Sequence, residues 1–195
     1  MTTKVAKKQN KKRCAWVGES AQMQAYHDKV WGVPKKKDID IFEAIVLDTF
    51  QAGLSWAIIL RKRDNFARAF ANFDPVKVAR FGVREEKKLL QDAGIVRNKL
   101  KIKGTIQNAK SFLAIQKEYG TFAKYIWQFT NGKVIDGKRK TTKDIPATSK
   151  ESDAMSKDLK KRGFTFVGST VCYAFMQGIG MVNDHTKDCF RYAKK

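Results

Sequence analysis

The stretch "LLQDAGIVRNKLKIKGTI", Leu89 to Ile106, decides the architecture of this 195-residue chain. A helix ends at Gly94, a tight turn follows, and a second helix restarts at Asn98 with its apolar residues on one face. A glycine turn that leads into a helix N-terminus presents backbone N–H groups to an anion, and one phosphate group fits such a site. The predicted phosphate contacts are Gly94, Arg97, Lys99 and Lys101. The alternative is an ordinary helix–loop–helix whose glycine only ends the first helix.

Helical patterns continue on both sides of this stretch. The predicted helices cover residues 40–53, 55–73, 83–94, 98–120, 121–132, 151–163 and 169–181. The first opens with Asp40 as N-cap and Glu43 three residues later, as in a capping box. The last is apolar on nearly every face, which predicts the central buried helix. Residues 132–150 are polar and turn-rich, which predicts a loop, and no convincing strand alternation appears. The fold class is therefore predicted to be all-α.

The chain is strongly basic, with a formal net charge of +21 at pH 7. Residues 1–13 hold six basic residues and no acid, which predicts a disordered tail that adds non-specific attraction to phosphates. Residues 14–195, predicted to form one helical domain, remain strongly basic without that tail. A basic folded domain suits a polyanion such as nucleic acid, although solubility or general stickiness would give the same composition.

The composition disfavours several other classes of protein. No apolar run approaches membrane-spanning length, and the basic N-terminus lacks the apolar core of a signal peptide. Three cysteines in such a chain do not indicate a disulfide framework. We therefore expect no membrane partner and a cytoplasmic location.

Cysteine and histidine are concentrated near the two ends of the chain. Cys14 and His27 lie in "RCAWVGESAQMQAYHDKVWGVP", and His185 and Cys189 lie in "VNDHTKDCF". Two thiolates and two imidazoles form a set that Zn²⁺ binds tetrahedrally, and a site with all four positions filled is structural. Such a site would fasten the two ends of the chain together, the first of which shows no regular apolar pattern. The alternative is a buried cysteine and two surface histidines. Cys172, in the apolar helix, is interpreted as core.

A carboxylate stands on the apolar face of the first predicted helix. Asp48 shares that face with Ile41 and Ile45 by its i, i+4, i+7 spacing. An unpaired buried charge is costly, so this group is either functional or satisfied by backbone N–H groups or a neighbouring lysine. The next residues, "QAGLSW", predict a tight turn at Gly53 that presents Leu54. An apolar tip of this kind can wedge into a stack of bases.

Aromatic residues cluster in sequence around the same features. They are Trp16, Tyr26, Trp31 and Trp56. Aromatic rings beside a carboxylate can sandwich an extruded base while the carboxylate accepts an N–H from its exocyclic amine. The alternative is core packing, which is the usual fate of an aromatic side chain.

These residues converge on one family of DNA repair enzymes. The chain resembles DNA-3-methyladenine glycosylase I of the Tag type, among the helix-hairpin-helix glycosylases, from about Arg13 to Cys189. The resemblance rests on the order and spacing of several blocks: "RCAWV", "YHDKVWGVP", "QAGLSW", "FDPVKVA", "LLQDAGIVRNKLKI" and "SDAMSKDLKKRGFTFVGSTVCYAFMQGIGMVNDH".

The resemblance implies two helical lobes with a base pocket between them. It implies a structural zinc ion bound by Cys14, His27, His185 and Cys189. It also implies that Trp56 stacks on the base and that Tyr26, Trp16 and Trp31 line the pocket. The pocket carboxylate of the family, usually Glu, falls at Asp48, one methylene shorter. An additional pocket tyrosine of some relatives falls at Met23.

The implied reaction is hydrolysis of the bond between 3-methyladenine and deoxyribose in double-stranded alkylated DNA. The base is cationic and leaves readily, so the enzyme flips the nucleotide, holds the base and stabilises an oxocarbenium-like transition state. We expect Asp48 to recognise the base and act electrostatically rather than to activate water. We also expect a monofunctional monomer that releases free 3-methyladenine and leaves an abasic site. Two alternatives are a zinc-clamped DNA-binding module without catalysis and a glycosylase for another damaged base.

Overall fold

The computed structural model describes residues 11–192. Within that range the fold consists mainly of ten α-helices, named α1 to α10 in chain order. Their bounds are Ala21–Lys29, Asp38–Gln51, Trp56–Arg61, Arg63–Ala69, Pro75–Val78, Val83–Gln91, Lys99–Tyr119, Phe122–Trp127, Lys150–Lys161 and Ser169–Gly178. Short 3-10 turns lie at Ala15–Val17, Ala71–Phe73, Gln128–Thr130 and Thr142–Asp144. Across the same residues, no helix combines the length and apolar character that crossing a lipid bilayer requires.

Helix α2 is the centre of the apolar core, because nearly every residue of its second half is buried. It packs against α7 and α10. Its start differs from the predicted capping box, since Lys37 is the N-cap and Glu43 pairs with Arg63 instead. The Asp38 carboxylate accepts hydrogen bonds from the backbone N–H groups of Phe122 and Ala123, at 2.8 Å each, and so caps α8 rather than α2.

The N-terminal segment is more regular than the sequence suggested. Helix α1, capped by Ser20, occupies the middle of the segment for which we expected no regular structure. His27 is the one residue of α1 that is buried. The helix therefore needs no apolar face, and its sequence shows no repeating apolar pattern at helical spacing. Lys12 and Arg13, which we assigned to the tail, contact the folded chain at Asp188 and Asp28. Residues 1–10 of that predicted tail lie outside the described residues.

Two further predictions are corrected by the backbone. The helix predicted over residues 55–73 is divided at Lys62 into α3 and α4. The region predicted as a loop, 132–150, contributes a two-residue strand, Ile135–Asp136, which pairs in parallel with Val182–Asn183. Strands this short carry no alternation that a sequence could display. The pairing fixes this otherwise irregular segment against the end of the chain.

Candidate active site

An open cavity of about 390 Å³ lies among α1, α2, α3, α10 and the 3-10 turn at Thr142–Asp144. The structure brings to it every residue that the sequence proposed for base binding, together with Asp48. Its lining residues are Trp16, Tyr26, Trp31, Asp48, Gln51, Trp56, Thr142, Ile145, Ala174 and Gln177. The cavity therefore combines aromatic walls with few polar groups, as small-molecule sites do.

The aromatic walls form two pairs. Trp16 meets Trp31 edge to face, with ring centroids 4.9 Å apart, and Tyr26 lies 5.0 Å from Trp56 at a tilt of 46°. The indole Nε1 of Trp56 is buried and has no hydrogen-bond partner among residues 11–192. Burial first, and then the charge of Asp48, raises the pKa of the Tyr26 hydroxyl. Tyr26 therefore stays protonated at neutral pH and can donate a hydrogen bond.

Asp48 is the acidic group of the cavity. Its residue is only 7% exposed, and no side chain or backbone group of residues 11–192 makes a hydrogen bond with its carboxylate. Burial raises its pKa to about 7, and the charge of Lys35 opposes this rise. A carboxylate with free acceptor oxygens beside aromatic rings is suited to bind a positively charged planar group.

Lys35 stands on the far side of the cavity wall. Its ammonium donates a hydrogen bond of 2.6 Å to the carbonyl oxygen of Gly178. A second cavity, of about 120 Å³, is lined by Lys35 and by Tyr26, Asp48 and Trp56, which also line the first. These three residues thus form a shared wall. Burial lowers the pKa of Lys35, while the carboxylates of Glu43, Asp48 and Asp40 act to raise it.

The turn at residues 51–55, called the wedge turn below, borders the cavity through Gln51. The N–H of Leu54 bonds to the carbonyl of Gln51 at 2.7 Å, and Gly53 adopts φ +78°, a conformation that favours glycine. Leu54 is half-buried against the core, and Gly53 is exposed at the tip of the turn. The tight turn predicted from the sequence is therefore present, but the Leu54 side chain that it was expected to present is only partly exposed.

The turn at residues 92–98, called the hairpin turn below, joins α6 to α7. The N–H of Gly94 is bonded to the carboxylate of Asp92 at 2.7 Å, and the Asn98 side chain caps α7. Arg97 and Lys99 are exposed, as a phosphate contact requires. Lys101 differs, because it is only 7% exposed and its ammonium donates to two backbone carbonyls. Its position does not fit the direct phosphate contact that we predicted.

The four predicted metal ligands meet at one point. One donor atom from each of Cys14, His27, His185 and Cys189 lies within 4.8 Å of the others, and all four residues are buried. Both cysteines are free thiols. The Cys189 Sγ lies 3.4 Å from His27 Nε2 and 3.6 Å from His185 Nδ1. Bonds of about 2.0 Å to nitrogen and 2.3 Å to sulfur give tetrahedral edges close to these separations, so the donor set fits a zinc ion.

A second layer of contacts orients these ligands. The free ring nitrogen of His27, Nδ1, lies 2.9 Å from Asp28, whose carboxylate is held by Arg13 through two hydrogen bonds of 2.9 and 2.7 Å. Metal-binding histidines commonly contact a carboxylate in this way. A hydrogen bond from Cys14, followed by contacts with His185 and His27, lowers the pKa of Cys189. The thiolate form, which binds metals, is thereby favoured at Cys189.

The family described as methyladenine glycosylase matches residues 16–192.

The chain belongs to the methyladenine glycosylase family.

Several members of this family are close to the chain in sequence and structure. DNA-3-methyladenine glycosylase 1 of Escherichia coli (strain K12) is 45% identical over 180 residues, which cover 92% of this chain and 96% of that protein. A crystal structure of 3-methyladenine DNA glycosylase I superimposes with a TM-score of 0.90 at 43% identity, covering 92% and 98% of the two chains. A variant of 3-methyladenine DNA glycosylase I in complex with 3-methyladenine gives 0.89 at 32% identity, covering 91% and 96%.

In this methyladenine glycosylase, the sequence had not singled out one group of cavity residues. Gln177 lines the cavity, and its amide N–H donates to the Asp184 carboxylate at 2.8 Å. Asp184 also accepts from Tyr173 at 2.7 Å and from Arg139 at 2.8 Å. An aspartate directly before the predicted ligand His185 was the available signal, because buried carboxylates need partners. The network holds the segment that carries Thr142 close to helix α10.

Proposed function

We propose that this chain is a monofunctional DNA glycosylase that flips 3-methyladenine out of double-stranded alkylated DNA and hydrolyses its glycosidic bond. The observation that supports it best is the open cavity in which the unbonded carboxylate of Asp48 faces aromatic walls. Relatives named for the same base, one of them in complex with it, favour the same substrate. The products are an abasic site and free 3-methyladenine.

The first step in this mechanism is extrusion of the damaged nucleotide. The apolar side chain of Leu54 fills the gap that the base leaves, while Gly53 allows the backbone to approach the duplex. The hairpin turn contributes the exposed cations Arg97 and Lys99 to hold a phosphate, and Gly94, whose N–H donates to Asp92 in the free protein, lets the backbone make the turn between them and α6. The basic net charge of +21 adds attraction to the DNA that is independent of its sequence.

The second step is recognition of the cationic base. Trp56 stacks on one face of the base, because an electron-rich ring favours a positive charge, and Tyr26, Trp16 and Trp31 line the cavity around it. The ionised Asp48 carboxylate accepts a hydrogen bond from the base and attracts its positive charge. Normal adenine is neutral and loses this electrostatic contribution, so the cavity discriminates against it.

Hydrolysis then breaks the bond between the base nitrogen and C1′ of the sugar. The bonding electrons move to the base, which leaves neutral, and a water oxygen bonds to C1′ and releases one proton. The Asp48 carboxylate stabilises the positive charge that develops on the sugar. No lysine is positioned as a nucleophile in this scheme, so the strand is not cut.

We further propose that Cys14, His27, His185 and Cys189 bind Zn²⁺ as a structural ion that joins the two ends of the domain. The ion would supply a cross-link and no step of the reaction, since all four positions are filled by protein. We also expect a monomer with two helical lobes around the base cavity, acting on DNA in the cytoplasm.

Release of 3-methyladenine from methylated duplex DNA, measured by chromatography, tests the proposal. We expect wild type to release the base and Asp48→Asn to release it at least about 100-fold more slowly, as for loss of one preorganised electrostatic group. Asp64→Asn, an equal change at an exposed acid, is the matched control. DNA binding without any base release by wild type would leave a metal-clamped binding module. Release of a different alkylated base would place the chain among glycosylases for other lesions.

A further inference from the structure

Two lysines make reciprocal contacts between the wedge turn and the hairpin turn. Lys101 follows the hairpin turn on α7, and its Nζ donates to the carbonyl oxygens of Phe50, at 2.8 Å, and Ala52, at 2.5 Å. Lys62 follows the wedge turn at the end of α3, and its Nζ donates to the carbonyls of Ala93, at 2.9 Å, and Gly94, at 3.1 Å. Each lysine thus lies beyond one turn and binds backbone at the other.

The contacts reach the parts of the two turns that the proposed function uses. Ala52 is adjacent to Gly53, the tip of the wedge turn, and Gly94 is the glycine of the hairpin turn. Asn65 adds a third donor to the Gly94 carbonyl at 3.0 Å. A Cβ atom on Gly94 would lie 3.1 Å from Asn65, so the backbone of the hairpin turn lies directly against α4.

Burial of the charged Lys101 ammonium costs free energy, which the two hydrogen bonds to carbonyl oxygens must offset. It is only 7% exposed, and no carboxylate pairs with it among residues 11–192. Burial lowers its pKa, which shows that the buried charge is disfavoured. Ordinary capping of α2 would need only a partly exposed side chain near the helix end. A buried ammonium that joins two separate turns instead fixes the distance between them.

We propose that Lys62 and Lys101 are positioning residues that hold the wedge turn and the hairpin turn at one separation. Phosphate binding at the hairpin turn and insertion of Leu54 then occur in a single docking event on the duplex. This inference rests on the proposed function for the roles of the two turns. It assigns neither lysine a contact with DNA.

The variants Lys101→Met and Lys62→Met remove the ammonium and keep an unbranched side chain of similar length. We expect each to weaken binding to a duplex that contains a stable abasic analogue by about tenfold or more, as for loss of hydrogen bonds to a charged group. Binding of free 3-methyladenine, followed by tryptophan fluorescence, should change less than about twofold, because the cavity does not involve these residues. The matched control is Lys110→Met, an exposed lysine on α7.

Salt dependence separates positioning from direct DNA contact. The slope of log Kd against log salt falls by about one for each lost phosphate contact. We expect that fall for Lys99→Met and an unchanged slope for Lys101→Met. A reduced slope for Lys101→Met would mean that this lysine binds phosphate itself, and would overturn the proposal.

A purely structural role would give a different pattern. Lys101→Met would then unfold at a lower temperature and, while folded, bind the abasic duplex as wild type does, which would also overturn the proposal. Lys101→Arg should restore most duplex affinity, and Lys62→Met carries the test if Lys101→Met does not fold. The binding experiments use an abasic duplex and do not depend on base release. A chain that releases no base would therefore refute the proposed function, while the binding data would still test how the two turns are held.

Discussion

Asp48 is the residue at which stability and proposed function oppose each other. Its carboxylate is buried without hydrogen bonds from residues 11–192, and Lys35 is the cation whose charge acts on it. A methyladenine glycosylase with an apolar side chain here would avoid the cost of burying this charge. In the proposed function, the cationic base supplies the missing partner of this acid.

The variant Asp48→Asn should be more stable than wild type at high pH. In the folded protein the pKa of Asp48 is about 7, raised from 3.8, so the folded state holds a proton that the unfolded state loses first. Wild-type stability therefore falls as pH rises from about 4 to about 7, and Asn removes this loss. We expect a gain of roughly 1–4 kcal/mol at pH 8 and a smaller one at pH 5, measured by urea unfolding. Equal gains at both pH values would contradict this account.

Lys35 should set the pH at which Asp48 becomes active. Without Lys35 the folded pKa of Asp48 rises further, because burial then acts unopposed. We expect the acidic limb of kcat/KM for Lys35→Met to move to higher pH, with several-fold lower activity at pH 6.5 and near wild-type activity at pH 9. Lys37→Met, at an exposed neighbour, should leave the profile in place. An unshifted acidic limb for Lys35→Met would mean that the charge of Lys35 does not influence the pKa of Asp48.

At the scale of elements, irregular segments are held by contacts with residues that are distant in the sequence. The 3-10 turn that brings Thr142 to the cavity belongs to a segment attached through Arg139 to Asp184, whose side chain is fully buried. A Cβ on Gly137 would lie 2.1 Å from Asp184, so only glycine permits this approach. Part of the cavity wall therefore depends on this ion pair and this glycine, together with the parallel pairing of the two short strands.

The variant Arg139→Ala should loosen that wall. It leaves the Asp184 carboxylate with Tyr173 and Gln177 as partners and removes the side-chain link to the segment, while the pairing of the two short strands remains. We expect a loss of about 1–3 kcal/mol in the free energy of unfolding and faster hydrogen exchange at residues 137–145. Arg139→Lys retains the charge, so its free energy of unfolding and its hydrogen exchange should lie between those of wild type and of Arg139→Ala. Unchanged exchange in this segment would show that other contacts hold it.

Elements with strong local patterns could be predicted from the sequence, and those fixed by distant contacts could not. The long amphipathic helices α7 and α9 were predicted because each repeats its apolar face over several turns. The grouping of the aromatic residues around Asp48 was implied by the family resemblance. Lys35 was not singled out from the sequence, and Lys101 was assigned to a phosphate. A lysine beside a turn gives the same sequence signal whether its ammonium contacts solvent, a phosphate or the carbonyl oxygen of a residue far away in the sequence.

At the scale of the whole molecule, the four predicted metal ligands lie together where the ends of the folded chain meet. Cys14 and His185 are 171 positions apart and their donor atoms are 3.6 Å apart. Closing a loop of this length in the unfolded chain costs about 5 kcal/mol of entropy in the simple chain model. A bound ion would make that cost part of the stability of the fold, whereas the helical core between the ends has its own apolar contacts.

Cys189→Ser should therefore remove the metal while leaving a folded core. We expect wild type to carry one zinc ion per chain by atomic absorption and the variant to carry much less, with a lower thermal midpoint. Far-ultraviolet circular dichroism should stay helical, since α2, α7 and α10 do not depend on the cluster. Cys172→Ala, at the remaining cysteine, should keep the metal. Full metal content in Cys189→Ser would remove this residue from the ligand set.

The position of the cluster also decides how the protein responds to mechanical force. A pull applied at the two ends of the chain would reach the metal–ligand bonds at Cys14 and Cys189 before any of the helices between them. With the ion bound, the whole stretch that contains the base cavity would lie outside the path of the load. The fold would then yield in one step, when a ligand bond breaks, instead of extending helix by helix from its ends.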